Sequence, residues 1–199
     1  MSSFDSTVLK PTQSSCRFKI AAQQNSTKWY NSQLNLLPSG SLGLVQIYDI
    51  QTKSFLIHPN STLDNPLVHL EGPFIYFLST VNVDRLEPAF RITPLTRSLP
   101  PSFPSCDIVI IRPCQSPTIV QDTLEARASF VEILSAVFGA VYQDGLHIDM
   151  RYNKDGQLVT QGDGPAVVEY IRCGGWEWIP VRLPIFTCHP LSHLAIGNG

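Results

Sequence analysis

The 199-residue chain is poor in charge, since Asp, Glu, Lys and Arg make up only 15% of it and its formal net charge is −2. Such a chain has no electrostatic reason to bind nucleic acid, and no basic patch to hold it on an anionic membrane. It also lacks a glycine-rich loop followed by a helix, the arrangement that cradles nucleotide phosphates. We therefore expect neither a nucleic-acid-binding protein nor a self-contained nucleotide-binding enzyme.

Segments that would direct the chain into a membrane or out of the cell are also missing. Residues 1–19 contain no apolar core of the kind found in signal peptides, and no myristoylation or prenylation motif is present. The most apolar window, 130–143, includes Glu132 and is shorter than the ~20 residues that span a bilayer. We expect a cytoplasmic protein without a transmembrane segment, compatible with peripheral membrane contact.

Cysteine is too sparse and too widely spaced for a disulfide scaffold or a zinc site. Both kinds of structure use closely spaced pairs, and no CxxC motif is present. The odd number of thiols predicts reduced cysteines and no metal site. The five cysteines are at positions 16, 106, 114, 173 and 188.

What the chain has is apolar and aromatic content, at 43% and 10% of its residues. That content supports a sizeable core and argues against disorder. Residues 1–15 are rich in Ser and Thr without periodicity, which predicts a loose arm. We expect one folded lobe over 16–180 and a separate tail at 181–199.

Strand patterns outnumber helix patterns. Alternation over 41–59 predicts a hairpin with its turn at 51–53, the apolar run 107–112 predicts a central strand, and 74–81 predicts a strand covered on both faces. Four prolines within 93–105 predict an extended connection. Further strands are predicted at 16–22, 146–152, 158–160 and 166–173, and those from 146 to 173 as consecutive antiparallel strands around a turn at 153–157. The glycines at 174 and 175 break this series before 176–180.

One helix is predicted between Asp122, which with Glu125 resembles a capping box, and a stop signal at 144–145. Its apolar residues fall at helical spacing and predict a stripe that packs on a sheet. They are Phe130, Leu134, Val137, Phe138 and Val141. The predicted fold class is α+β, mainly β: an antiparallel, β-sandwich-like lobe with one dominant helix packed on it.

Three short patterns invite a chemical interpretation. Residues 162–164, Gly-Asp-Gly, suit a hairpin turn better than a phosphate loop, because no helix pattern follows them. His147, Asp149 and Arg151 would share one face of a strand, which is more typical of a solvated surface than of an active site. Cys188 and His189 are adjacent, but adjacency alone does not make a nucleophile and its base.

Aromatic residues are the strongest candidates for a binding site. Rings with one polar handle line apolar pockets, and they also anchor cores, so both interpretations remain open. The candidate lipid-binding residues are Phe74, Tyr76, Phe77, Tyr170, Trp176 and Trp178.

The order of several segments resembles a known family. FIYFLSTVNVDRLEPAFRITPLTRSLPP (74–101), CDIVIIRP (106–113), a helix ending in YQDGLHIDMRY (142–152) and VVEYIRCGGWEWIP (167–180) together resemble the C-terminal portion of fungal proteins of the diacylglycerol/sphingoid-base (sphingosine) kinase family. The resemblance covers roughly 40–180, and the tail after Pro180 departs from it.

This resemblance implies a β-sandwich-like lobe that holds a long-chain base or a diacylglycerol. In the family, a separate N-terminal lobe with a Gly-Gly-Asp-Gly loop brings ATP and Mg²⁺ for phosphoryl transfer to a lipid hydroxyl. That loop has no counterpart here, so we expect a lipid-binding lobe that is inactive alone, without cofactor, metal ligand or catalytic residue of its own. The alternative is a non-enzymatic, β-rich protein-interaction domain.

Overall fold

The structure, a computed structural model, describes residues 24–39 and 43–181. The predicted arm at 1–15, the predicted strand at 16–22 and the tail from 182 onward lie outside these described residues. The strands are β1 (Ser32–Leu37), β2 (Gln46–Asp49), β3 (Ser54–Ile57), β4 (Val68–Glu71), β5 (Tyr76–Thr80), β6 (Cys106–Ile111), β7 (Arg151–Tyr152), β8 (Leu158–Val159), β9 (Glu169–Cys173) and β10 (Gly175–Pro180). The helices described below are α1 (Leu95–Ser98) and α2 (Leu124–Val141).

Two antiparallel sheets and a helix form three layers. The larger sheet has the strand order β3-β2-β9-β6-β5 and the smaller sheet the order β10-β1-β4, while β7 and β8 form a separate hairpin. One apolar core lies between the two sheets, and a second lies between the larger sheet and α2. The architecture is therefore α+β and mainly β, with one dominant helix, as the sequence predicts.

Strand β6 lies at the centre because every one of its side chains is buried. Ile108 and Ile110 face the smaller sheet, and Val109 and Ile111 face the helix. A strand covered on both faces requires such a continuous apolar run, and each fully buried side chain contributes about 1.5–3 kcal/mol. Pro113 ends β6 as predicted and begins a short 3₁₀ turn, Pro113–Gln115.

Helix α2 buries the predicted stripe on the larger sheet, but its start differs from the prediction. The N-cap is Thr123, whose hydroxyl accepts a hydrogen bond from the Ala126 N–H. The Asp122 carboxylate instead forms a bidentate ion pair with the Arg127 guanidinium. This pairing draws the acidic group away from the helix end, which leaves the neighbouring threonine as the cap.

The connection predicted as extended at 93–105 contains the short helix α1. Pro94 occupies its N-cap with a helical backbone conformation (φ −62°). A proline at a helix start sacrifices no helical hydrogen bond, because the first N–H groups have no partner within the helix. The prolines at 100, 101 and 104 follow α1, where they are compatible with its ending.

The strand predicted at 146–152 is mostly a 3₁₀ turn, Leu146–Asp149, and only Arg151–Tyr152 is extended. The adjacent side chains of His147 and Ile148 are both buried, which the alternation of a strand does not allow. The predicted turn at 153–157 does connect β7 to β8. Strand β9, however, pairs with β2 and β6 and not with β8, so the predicted series of consecutive strands is wrong.

The other predicted strands are present with shorter bounds. Strands β2 and β3 form the expected hairpin, whose turn is held by the Asp49 carboxylate accepting hydrogen bonds from Thr52. Strand β5 is an edge strand whose side chains are mostly half-buried, and not a fully covered strand. Its Tyr76 contributes to the helix-side core, and its Phe77 packs into the core between the sheets.

Candidate functional site

The chain passes from one sheet to the other at Gly174, between β9 and β10. A β-carbon at Gly174 would lie 2.1 Å from the Pro38 carbonyl oxygen, so the close approach of the two segments requires glycine. After this crossing, β10 forms one edge of the smaller sheet, and β5 forms one edge of the larger sheet. Side chains of the two edge strands meet on one side of the sandwich.

Four of the predicted aromatic residues meet there and form what we call the aromatic rim: Phe74, Phe77, Trp176 and Trp178. The Phe77 ring centroid is 4.8 Å from that of Trp176 and 5.6 Å from that of Trp178. Phe74 lies 5.1 Å from Trp178 and is fully buried. Trp176 is 42% exposed, so the rim extends from the core to the surface.

The structure places the other two predicted residues on the opposite face of the larger sheet. Tyr76 packs edge-on against Phe138 of α2, with ring centroids 5.0 Å apart. The Tyr170 hydroxyl donates a hydrogen bond to the Asp107 carboxylate at 2.8 Å. Burial raises the pKa of both phenols, and for Tyr170 the Asp107 charge raises it further. Both phenols therefore stay protonated, and neither belongs to the rim.

Asp107, Arg172, Tyr170 and Thr96 form a buried polar cluster that our sequence analysis missed. The Arg172 guanidinium donates from Nε and one terminal nitrogen to the two Asp107 oxygens, at 2.8 and 3.2 Å. The Thr96 hydroxyl donates to the same carboxylate at 2.7 Å. A signal for this cluster was present in the sequence, since Asp107 is the one charged residue of β6 and Arg172 is a charged residue among the buried side chains of β9.

A cleft of about 580 Å³ opens above Arg172, between the β2–β3 hairpin and the segment at 98–105. The Arg172 guanidinium lies 4.0 Å from the centroid of the Phe55 ring, and it donates a hydrogen bond to the Leu99 carbonyl oxygen at 2.9 Å. Ser105 also lines the cleft, and its hydroxyl oxygen is buried without a hydrogen-bond partner. Phe103 lines it as well and is 69% exposed. The cleft combines apolar walls with donors for an oxygen-bearing group.

The polar candidates from the sequence do not come together. His147 is fully buried and its Nε2 lies 3.0 Å from the Ile92 carbonyl oxygen, while Asp149 pairs with Lys53. Arg151 donates to the Gly164 carbonyl oxygen. The three therefore do not form the shared strand face that the sequence suggested.

Residues 162–164 lie in a loop that leads to β9 and not to a helix, so they do not form a phosphate loop at a helix start. The predicted hairpin turn is also wrong, because β8 and β9 do not pair with each other. The Gly162 carbonyl oxygen accepts a hydrogen bond from the Gln51 side chain. Cys188 and His189 lie outside the described residues, so the structure does not bear on their pairing.

Within 24–39 and 43–181, no group of three or more His, Cys, Asp and Glu side chains is arranged to hold a metal ion. In the same ranges, no helix has both the length and the apolar character needed to cross a membrane. Comparison of the chain with protein-family models, with curated proteins and with solved structures finds no match.

Proposed function

We propose that this chain is the lipid-binding lobe of a diacylglycerol or sphingoid-base kinase-like protein, and that its aromatic rim contacts the lipid's alkyl chain. The observation that carries the proposal is the position of Trp176, which lies half-exposed beside Phe77 at the open side of the sandwich. Covering exposed apolar surface is favourable by about 25 cal/mol per Å². An alkyl chain laid along the rim would gain this energy without forming a polar contact.

The family part of the proposal depends on the resemblance of the sequence. The segments that carry it fall on connected parts of the fold: 106–113 contains β6, and 167–180 contains β9 and β10. The two-sheet lobe with a packed helix is the architecture that the resemblance implies. Phosphoryl transfer from ATP requires a positioned nucleotide with Mg²⁺, which in this family a separate lobe supplies. We therefore propose that this chain holds lipid and does not phosphorylate it unaided.

Thermal unfolding in the presence of lipid tests the proposal. A ligand that binds only the folded state raises the midpoint of unfolding by mass action. We expect a rise with a long-chain base or a diacylglycerol, presented in matched detergent micelles, and no rise with the micelles alone. If neither lipid raises the midpoint of unfolding at concentrations well above micromolar, the proposal is contradicted.

A pair of matched variants locates the lipid. Trp176→Ala removes the exposed ring of the rim, and Phe103→Ala removes an exposed ring at the cleft. If the rim binds the alkyl chain, the lipid-induced rise will fall in Trp176→Ala and persist in Phe103→Ala. The reverse result would assign the lipid to the cleft. Trp29 is a poor control, because it is buried against Phe130.

A second candidate function, protein interaction, is favoured by the outer edge of β10. No strand among the described residues pairs with this edge, and Ile179 and Val181 are exposed beside it. An unpaired strand edge with apolar side chains is a template for pairing with another chain. Sedimentation velocity without lipid tests this function: a dimer that Ile179→Lys dissociates would support it, and a monomer at all concentrations would count against self-pairing.

A further inference from the structure

Two cysteines face each other across neighbouring strands. Cys106 is the first residue of β6, Cys173 is the last residue of β9, and the antiparallel register places them directly opposite. Their sulfur atoms are 3.5 Å apart. Both residues are buried in the core between the sheets, Cys173 fully and Cys106 with 8% of its surface exposed. Neither takes part in the aromatic rim or in the cleft.

The backbone geometry of this pair suits a covalent link. Directly opposed residues of antiparallel strands have β-carbons about 4.5–5.5 Å apart, and a disulfide has them about 3.5–4.5 Å apart. The sulfur atoms would have to approach by roughly 1.5 Å to reach the length of a disulfide bond. Rotation of the two side chains, with a small shift of the strands, supplies a movement of that size.

The surroundings make one of the two thiols the nucleophile. The two sulfur atoms hydrogen-bond to each other, and this contact is the largest of the causes that together lower the pKa of Cys106 to about 7. The Ser79 hydroxyl acts in the same direction, while burial and the Asp107 carboxylate oppose it. The pKa of Cys173 is raised, so this residue keeps its proton. Such a thiolate–thiol pair is the arrangement that disulfide formation requires.

We propose that Cys106 and Cys173 are a redox-active dithiol that a small hydroperoxide oxidises to an intramolecular disulfide. The Cys106 thiolate attacks one oxygen of hydrogen peroxide, forms a sulfenic acid and releases hydroxide. The Cys173 sulfur then attacks the Cys106 sulfur, and the sulfenic oxygen leaves as water with the Cys173 proton. The two thiols together lose two electrons, and the peroxide is reduced to water. A small oxidant fits because so little of Cys106 is exposed.

A variant that keeps only these two cysteines tests the proposal in the full-length chain. Cys16→Ser, Cys114→Ser and Cys188→Ser together remove the other thiols. Hydrogen peroxide at a few equivalents should abolish both remaining thiols, as measured by alkylation after denaturation, and lower the mass by about 2 Da. Dithiothreitol should restore both thiols. Peptide mapping should then show residue 106 linked to residue 173 in a monomer.

Separate single substitutions decide between this disulfide and other oxidation products. In Cys173→Ala no linked peptide should form, and peroxide should consume the Cys106 thiol more slowly, because the hydrogen bond that lowers its pKa is lost. Cys114→Ser, which removes an exposed thiol, should leave the linked peptide unchanged. The proposal is overturned if both thiols persist after peroxide, or if the thiols are lost only through links between two chains. Mapping of the wild-type chain decides the matter even if a variant does not fold.

Discussion

The Asp107 carboxylate and the Arg172 guanidinium form an ion pair across β6 and β9 with both side chains more than nine-tenths buried, and the shorter of its two contacts is 2.8 Å. Removing one partner leaves the other charge buried without compensation, which costs about 3–5 kcal/mol. We therefore predict that Asp107→Ala lowers the free energy of unfolding by this amount, as measured by urea denaturation.

The matched control for this prediction is an exposed pair. Lys53 and Asp149 form an ion pair in which more than half of the lysine side chain is exposed. Such pairs contribute at most about 1 kcal/mol, because water and salt screen them. Lys53→Ala should therefore change stability much less than Asp107→Ala. Equal losses in the two variants would show that the Asp107 carboxylate is not buried against Arg172.

Replacing either of two glycines with alanine should change the free energy of unfolding, in opposite directions. Gly145 has a φ of +82°, and a β-carbon there would lie 2.8 Å from the Pro94 ring. Gly145→Ala should lower the free energy of unfolding by about 2 kcal/mol, through backbone strain and this clash. Gly139 lies inside α2, and apart from its chain neighbours and the backbone of its own helix no atom lies within 4 Å of an added β-carbon. Gly139→Ala should raise stability by about 0.5–1 kcal/mol.

The core between α2 and the larger sheet can be tested by substitutions on the helix. Phe138 is buried between Tyr76, at 5.0 Å between ring centroids, and Phe90, at 6.0 Å. Phe138→Ala should lower the free energy of unfolding by about 3–5 kcal/mol, because it removes these contacts and leaves a cavity. Leu124→Ala, at an exposed position on the same helix, should cost less than about 1 kcal/mol. Similar costs in the two variants would contradict the observed orientation of α2.

The buried imidazole of His147 predicts how stability depends on pH. Burial lowers its pKa from 6.5 to about 4 in the folded protein. The unfolded chain therefore binds the proton more tightly, and folding loses stability as the pH falls from about 6.5 to about 4. This loss should approach about 3 kcal/mol in chemical denaturation measured across that range.

A variant that does not titrate isolates the contribution of this histidine. His147→Gln keeps an amide donor near the Ile92 carbonyl oxygen and should flatten the pH dependence between 4 and 6.5. His69→Gln, at an exposed position, is the control for the replacement of a histidine by glutamine. An unchanged slope in His147→Gln would mean that other groups cause the loss of stability.

Local periodicity made part of the fold predictable. The stripe from Phe130 to Val141 repeats at helical spacing, and the run at 107–112 is long enough for a strand that is covered on both faces. The helix cap was less predictable, because Asp122 and Thr123 are both good caps and the choice depends on Arg127 five residues later. The start of α1 at Pro94 and the 3₁₀ turn after Gly145 depend on tertiary packing, which no local pattern reports.

The candidate site was also predictable from the sequence only in part. Tyr76 and Phe77 are neighbours on one strand, so alternation alone places them on opposite faces, and they could not line one pocket. The meeting of Phe77 with Trp176 requires the crossing at Gly174, which the sequence shows only as a break. The contact between Asp107 and Arg172 joins residues 65 positions apart, and a charged residue within a strand does not reveal its partner. The resemblance to lipid kinases stays a prediction.

The crossing at Gly174 has a consequence for how the protein unfolds. The two strands that flank it, β9 with five residues and β10 with six, form hydrogen bonds with three different strands in two layers. A displacement of this segment by one residue would turn side chains outward in both layers at once, so misaligned pairings are doubly disfavoured. Neither layer can lose this segment without disturbing the other, and the two should therefore melt together as one cooperative unit.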